Sequence, residues 1–290
     1  MKEEADGIMN RIHVQAKDGA AVPVVVRRTA GGEIKGAVIV SHGFGEHAGS
    51  YDELAERLSQ AGYASVIFDQ RGHGDLPPRA RGVVPSYRSF LDDIDAVAAA
   101  VKREYPGVPL ALYGHSMGGN IAANVLLRPD APGFACAVLE SPWFGLYKNV
   151  NPLVAGLAKA VGGLSVNAAI VNKLIISNIT GDEAKQEWFA NDPLYHNRIS
   201  MRLFTGIGNA CKYALNNASK LTVPTFVAAA QREKIISNPA IRRFTEAAGR
   251  MVTFKEYDSC HAIHNDVQRE SFYRDMAGFL DAHCPVARND

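Results

Sequence analysis

The amino-acid sequence predicts an α/β fold: a mostly parallel, eight-stranded sheet with helices on both faces and a helical cap inserted into it. Three observations carry this expectation. Short apolar runs alternate with longer segments whose apolar residues recur at helical spacing, the pattern of a parallel sheet covered on both sides. At 290 residues and 47% hydrophobic content, the chain has the material for one large core. The alternation then stops at Ser141-Pro142 and resumes only at Val223, which marks an insertion.

Taken in order, residues 11–16 and 21–28 read as strands about the Lys17-Asp18-Gly19 turn, a hairpin at an antiparallel edge. Residues 36–41 form a buried strand. Residues 51–61 form an amphipathic helix that Gly62 ends, and 64–68 the next strand. Phe90, Leu91, Ile94, Val97, Ala98 and Val101 fall at helical spacing within 87–104, ahead of Pro106. A strand over 108–112, a helix over 120–127 and a strand over 135–139 follow. From Ser141 to about Asn217 the tendency is helical and no strand is apparent. Residues 142–217 are therefore assigned to the cap, and 1–141 with 218–290 to the core. The rhythm resumes with strands at 223–230 and 252–257 and helices at 239–248 and 266–283.

Composition narrows the function. A net charge of +1 gives no electrostatic case for nucleic acid. Cys136, Cys211, Cys260 and Cys284 are scattered and form no Cys-x-x-Cys, so neither a zinc site nor a disulfide framework is expected. The charged N-terminal residues lack the apolar run of a signal peptide, and no window offers about 20 uninterrupted apolar residues. A cytoplasmic address is the expectation.

In open α/β sheets, chemistry collects beyond the carboxyl ends of strands. Gly114-His115-Ser116-Met117-Gly118 stands there, between an apolar run and a helical one. As a bare pentapeptide it is a weak signal. In this context a serine with glycine two residues to either side fits a tight strand-to-helix turn that projects its hydroxyl into a cleft. A serine hydroxyl needs a general base, and the base needs an acid to orient it. His261 follows a late strand directly and is the expected base; His264, nearer the next helix, is expected to cap or line. Glu233 leaves another strand end and is the expected acid. Asp258 is the alternative, but it shares the strand end that carries the base. For a tetrahedral oxyanion, the N–H of Met117 is one expected donor and the N–H of Phe44, in Gly43-Phe44-Gly45, the second. The chain has neither a Walker ending nor Gly-x-Gly-x-x-Gly. His42 and His47 have no third ligand at metal-site spacing, so no metal is expected. Asp69-Gln70-Arg71-Gly72-His73-Gly74 reads as a tight turn with structural bonds and no catalytic role.

The segments His42 to His47, Asp69 to Gly74 and Gly114 to Gly119 together resemble the monoacylglycerol lipase and lysophospholipase-like branch of the α/β-hydrolases. Asn191-Asp192-Pro193-Leu194, Glu233 and His261 fall where that branch has its cap end, acid and base. The resemblance spans roughly residues 11–280. It implies an α/β-hydrolase fold and a serine hydrolase that cleaves lipid-like carboxylic esters without a cofactor. It also implies Ser116 as nucleophile, Glu233 and His261 as its partners, and Phe44 and Met117 as oxyanion donors. Three departures stand out. The acid is Glu233, with Ala230 in a usual glycine position; Asp258-Ser259-Cys260 precede the base; and Ser50-Tyr51 replaces a usual Arg-Tyr pair.

Substrate choice is expected in the cap. Trp143, Phe144, Leu146, Leu153, Val154, Leu157 and residues 174–176 are the candidate lining of an acyl pocket, and Lys148, Lys159 and Lys173 leave transient contact with a lipid surface open. The expected partner is a small-molecule ester with an apolar acyl chain. Three other readings stay open: a short-chain carboxylesterase; a prolyl-aminopeptidase-like peptidase, with Glu183 and Glu187 receiving the substrate amine; and a non-catalytic ligand receptor.

Overall fold

The computed structural model describes residues 9–29, 34–148, 169–171 and 175–284. Among the described residues the strands are β1 (Met9–Gln15), β2 (Ala21–Arg27), β3 (Gly36–Ser41), β4 (Tyr63–Phe68), β5 (Leu110–His115), β6 (Cys136–Glu140), β7 (Ala169–Val171), β8 (Arg198–Ser200), β9 (Thr225–Ala230) and β10 (Val252–Tyr257). The helices are α1 (Asp52–Gln60), α2 (Arg88–Glu104), α3 (Met117–Leu126), α4 (Glu183–Asn191), α5 (Met201–Asn217), α6 (Asn238–Ala248) and α7 (Arg269–His283).

Eight strands form one sheet in the order β1-β2-β4-β3-β5-β6-β9-β10. β2 alone runs against the rest, pairing antiparallel with both β1 and β4. The central strands β3, β4, β5, β6 and β9 are buried at every residue, which is why all but β5 read as largely apolar runs. Period-two alternation sends their side chains into two separate layers. Ile39, Leu112 and Val227 face one layer with Phe90, Ile121 and Phe244 from α2, α3 and α6. Their neighbours Val40, Tyr113 and Phe226 face the other, with Leu54 of α1 and Phe272 and Met276 of α7.

The stretch expected to hold no strand contains a two-stranded antiparallel sheet, in which Ile170 of β7 sits opposite Ile199 of β8. Three residues per strand are too few for a period of two to stand out from a helical background. α5 also departs from a free-standing cap helix: its Leu203, Ile207 and Ala214 are buried in the first layer of the core. All four cysteines are buried thiols, and Cys136 Sγ lies 3.3 Å from Cys284 Sγ. No helix among the described residues is long and apolar enough to cross a membrane.

Phe272 is fully buried between Phe226 and Tyr257, with ring centroids 6.4 and 5.8 Å away. Phe272→Ala is expected to destabilise the protein by about 3–5 kcal/mol, read as a lower midpoint in urea unfolding.

Candidate active site

β5 runs to His115 and α3 begins at Met117, so Ser116 alone forms the turn between them. Its φ of 52° and ψ of −113° lie in a region that residues with a side chain rarely adopt. Three hydrogen bonds hold this peptide: Ser116 N–H donates to Glu140 O at 3.0 Å, and Ser116 O accepts from Trp143 N–H at 2.9 Å and from Asn120 N–H at 3.0 Å. The glycines are there for space. A Cβ on Gly114 would stand 2.4 Å from Gly118 O, one on Gly118 would stand 1.9 Å from Ser41 O, and one on Gly119 would stand 2.9 Å from Pro142 Cα.

The structure brings Ser116, His261 and Glu233 into one line. Ser116 Oγ is 2.8 Å from His261 Nε2, and His261 Nδ1 is 2.6 Å from Glu233 Oε2. With Nδ1–H donated to the carboxylate, Nε2 is left to accept the serine proton. The other carboxylate oxygen, Oε1, accepts from the N–H groups of Ile235 at 2.7 Å and Ile236 at 3.2 Å, so Glu233 is clamped. Burial works against its charge, but the facing His261 and these two N–H groups outweigh burial and hold the carboxyl below its usual range. For His261 burial likewise favours the neutral ring, yet the Glu233 charge prevails and raises its pKa above the ordinary 6.5. Asp258 sits instead at the surface, 71% exposed and paired with Arg232 at 3.1 Å. The loop that carries His261 is fastened to the segment before α4: His261 N–H donates to Asn178 O at 3.3 Å and Ala262 N–H to Ile179 O at 2.8 Å. Asp266, with no exposed surface, accepts from Ser259 Oγ at 2.8 Å and from Gly181 N–H at 2.7 Å.

The loop after β3 faces the serine turn. Neither Phe44 N–H nor Met117 N–H makes a hydrogen bond among the described residues. The second motif supports this loop from below. Asp69 accepts from Ala48 N–H at 2.7 Å, Gln70 N–H donates to His42 Nε2 at 2.9 Å, and Arg71 is bidentate on Asp93 at 2.7 Å for both bonds.

Behind the serine lie two acid–histidine networks that sequence reasoning missed. Glu46 Oε2 accepts from Gly43 N–H at 2.7 Å and from Tyr51 OH, and His115 Nδ1 stands 3.3 Å away. Glu140 accepts from Tyr113 OH and from His264, whose N–H and Nδ1 lie 3.1 and 2.9 Å from Glu140 Oε1. Burial opposes both charges, but the histidine facing each acid outweighs it, so both carboxyls are held well below the usual range. The available signals were slight: a Glu inside the first motif and a Glu ending β6. His264 thus anchors to Glu140 and stacks on Tyr51 at 5.0 Å. His115, Glu140 and His264 bring one ligand atom each within 4.8 Å of one another, the only such trio among the described residues. Hydrogen bonds already engage Glu140 and His264, while His115 Nε2 is buried without a partner.

Ser116 and His261 open onto a narrow cavity. Phe44, Trp143, Leu146, Ile179, Tyr195 and Ile235 form its apolar lining. Trp143 and Leu146 were expected there, whereas Ile179, Tyr195 and Ile235 were not. Phe144 turns away into the core, where its ring stacks on Phe244 at 4.4 Å. Leu153, Val154, Leu157 and Leu174 lie outside the described residues. Glu183 and Glu187 are exposed on α4, away from the cavity lining.

An eight-stranded, mostly parallel sheet with a serine–histidine–glutamate line at its carboxyl edge defines a serine hydrolase of the α/β-hydrolase fold. The chain belongs to the serine aminopeptidase S33 family, whose model matches residues 32–268. It is similar to phospholipase YtpA of Bacillus subtilis, at 28% identity over 249 residues that cover 85% of this chain and 95% of that one. It is also similar to human monoglyceride lipase, at 29% over 251 residues, 81% of this chain and 78% of that one. An abhydrolase domain-containing protein of Dictyostelium discoideum is 27% identical over 87% of this chain, which spans only 27% of that longer protein. Among solved structures, the monoacylglycerol lipase of Paleococcus ferrophilus superposes with a TM-score of 0.81 at 26% identity, covering 90% of this chain and 99% of its own.

Gly118→Ala places a methyl group 1.9 Å from Ser41 O, backbone that has no room to yield. The variant is expected to lose about 1–3 kcal/mol or more of stability and to lose labelling of Ser116 by a fluorophosphonate, checked by thermal melting and mass spectrometry.

Proposed function

We propose that this chain is an esterase that cleaves monoacyl lipid esters, of the monoacylglycerol or lysophospholipid type, through an acyl-enzyme on Ser116. The observation that carries the reading is the Ser116–His261–Glu233 line opening onto an apolar cavity. The names of the similar phospholipase and monoglyceride lipases support the substrate class.

In this scheme the acyl chain lies along Trp143, Leu146, Ile179 and Ile235, which places the ester carbonyl over Ser116. Ser116 Oγ attacks as His261 Nε2 takes its proton, and the Oγ–acyl bond forms. Glu233 stabilises the imidazolium through Nδ1–H and fixes the ring plane. The oxygen that becomes negative is received by the N–H groups of Phe44 and Met117, the second at the N-terminus of α3. His261 then protonates the leaving alcohol, the ester C–O bond breaks, and water activated by the same ring releases the acid. Every step uses groups of the chain, the substrate and water. The buried free thiols accord with a reducing compartment, and the cytoplasm is the address proposed, with transient contact at lipid surfaces.

The family's description as an aminopeptidase raises a second reading. That activity requires a carboxylate free to receive an amine in the cavity. Glu183 and Glu187 are exposed and outside the lining, and Glu46, which does line it, is engaged by Gly43, Tyr51 and His115. This favours the ester.

Two experiments test the proposal. Ser116→Ala is expected to abolish turnover across a panel of monoacylglycerols, lysophospholipids and short-chain esters, with long acyl chains preferred by the intact protein. Retained turnover, or faster cleavage of a proline anilide than of any ester, would refute it. Because His261 must be neutral to accept a proton and its pKa is raised, kcat/KM is expected to fall with decreasing pH through an inflection above 6.5. Glu233→Gln removes the raising charge, so the inflection should move to lower pH while kcat drops by about 10⁴.

A further inference from the structure

The five residues from Gly43 to His47 are gripped from outside by the returning end of the cap, 188–198. His196 N–H donates to Gly45 O at 2.9 Å. The His196 carbonyl oxygen stands 2.0 Å from where a Cβ on Gly45 would be, and Gly45 has a φ of +81°. The His196 ring meets Phe44 edge-on at 5.8 Å. Farther along the loop, His47 Nε2 lies 2.8 Å from Asp192 Oδ2, with the two side chains only 11% and 7% exposed. His47 Nδ1 accepts from Gly49 N–H at 3.1 Å, so the ring proton is on Nε2 and is donated to Asp192. The second Asp192 oxygen accepts from Leu194 N–H at 2.9 Å, which fixes the carboxylate on its own turn. Trp188 stacks over His47 at 6.2 Å with its plane tilted by 24°. Neither His47 nor Asp192 lines the catalytic cavity.

We infer that Asp192 and His47 are positioning residues that hold the Phe44 N–H on the developing oxyanion. The inference rests on the proposed roles of Ser116 and Phe44. An oxyanion donor acts only when it sits about 2.7–3.1 Å from the negative oxygen, and a misplacement of about 1 Å costs on the order of 10² in rate. Gly43 and Gly45 free the Phe44 peptide to turn toward the serine, and Glu46, which accepts from Gly43 N–H and Tyr51 OH, braces only the inner side of the loop. β3 fixes one end of the loop. At the other end the His47–Asp192 bond adds an outer tie to the Ala48 N–H bond on Asp69, and the His196 bond to Gly45 O braces the middle.

Asp192→Asn tests this. It keeps the side-chain volume and an oxygen for Leu194, while setting an amide N–H against the N–H of His47. The expected result is a fall in kcat of at least about tenfold with KM unchanged. The affinity of an alkyl boronic acid, whose tetrahedral adduct mimics the intermediate, should fall by the same factor as kcat/KM. The double variant His47→Gln with Asp192→Asn pairs two amides and should recover part of the lost kcat and boronate affinity. Asp192→Asn with unchanged kcat, a change in KM alone, or no recovery in the double variant would overturn the inference while Ser116→Ala still abolishes turnover. Turnover surviving Ser116→Ala would instead remove the reading beneath it.

Discussion

One left-handed peptide organises the carboxyl edge of the sheet. Ser116 occupies a backbone conformation that costs about 1–3 kcal/mol in isolation, and the surroundings overdetermine it. Glu140 of β6 accepts its N–H, while Trp143 and Asn120 donate to its carbonyl. A turn this tight brings α3 so close to the ends of β3 and β5 that positions 114 and 118 have no room for a side chain. A second peptide with positive φ, at Ser141, lies just after β6 and leads into Pro142, which packs on Gly119. Changing the angle at Ser116 would therefore displace three strand ends together.

The charges around this turn come in acid–histidine couples, each with its own task. Glu233 faces His261, and His261 faces the serine. Glu140 uses its carbonyl for Ser116 and its carboxylate for His264, and so joins the serine turn to the loop after β10. Glu46 ties the loop after β3 to His115, the residue preceding the serine. The His115 ring centroid lies 5.0 Å from both His261 and His264. Isolated, each buried carboxylate would be expelled or protonated, because a lone charge in a low-dielectric interior is strongly disfavoured. Together they form a buried polar cluster at the carboxyl ends of the strands. Glu46 is met by Tyr51 OH and by His115 Nδ1 at 3.3 Å.

Much of the fold was legible because central parallel strands have no solvent face to hide behind, so β3, β4, β6 and β9 announce themselves as unbroken apolar runs. β5 was read too short: Tyr113-Gly114-His115 resembles loop by composition, and only the neighbouring strands make it sheet. α3 was read as starting late, because Gly118-Gly119 weakens helix propensity in a place where packing overrides it. The Ser–His–Glu line was legible because each member follows a strand, and strand ends converge in this topology. Pairing was another matter. Nothing local says that Glu140 meets His264 across 124 positions, or that Ile179, Tyr195 and Ile235 share a wall with Phe44. Phe144 shows the reverse error, since an aromatic beside the site in sequence belongs to the core in space.

The fastening of the His261 loop to residues 178–181 also spans the chain. Ser116 emerges from the ribosome 145 residues ahead of His261. The loop that carries His261 takes its shape from Asn178, Ile179 and Gly181, and from Asp266 still further along. Its layer is closed by Phe272 and Met276 of α7. The Ser116–His261 hydrogen bond is thus a contact between distant parts of the chain, shaped by residues 178–181 and by the final helix around the loop after β10.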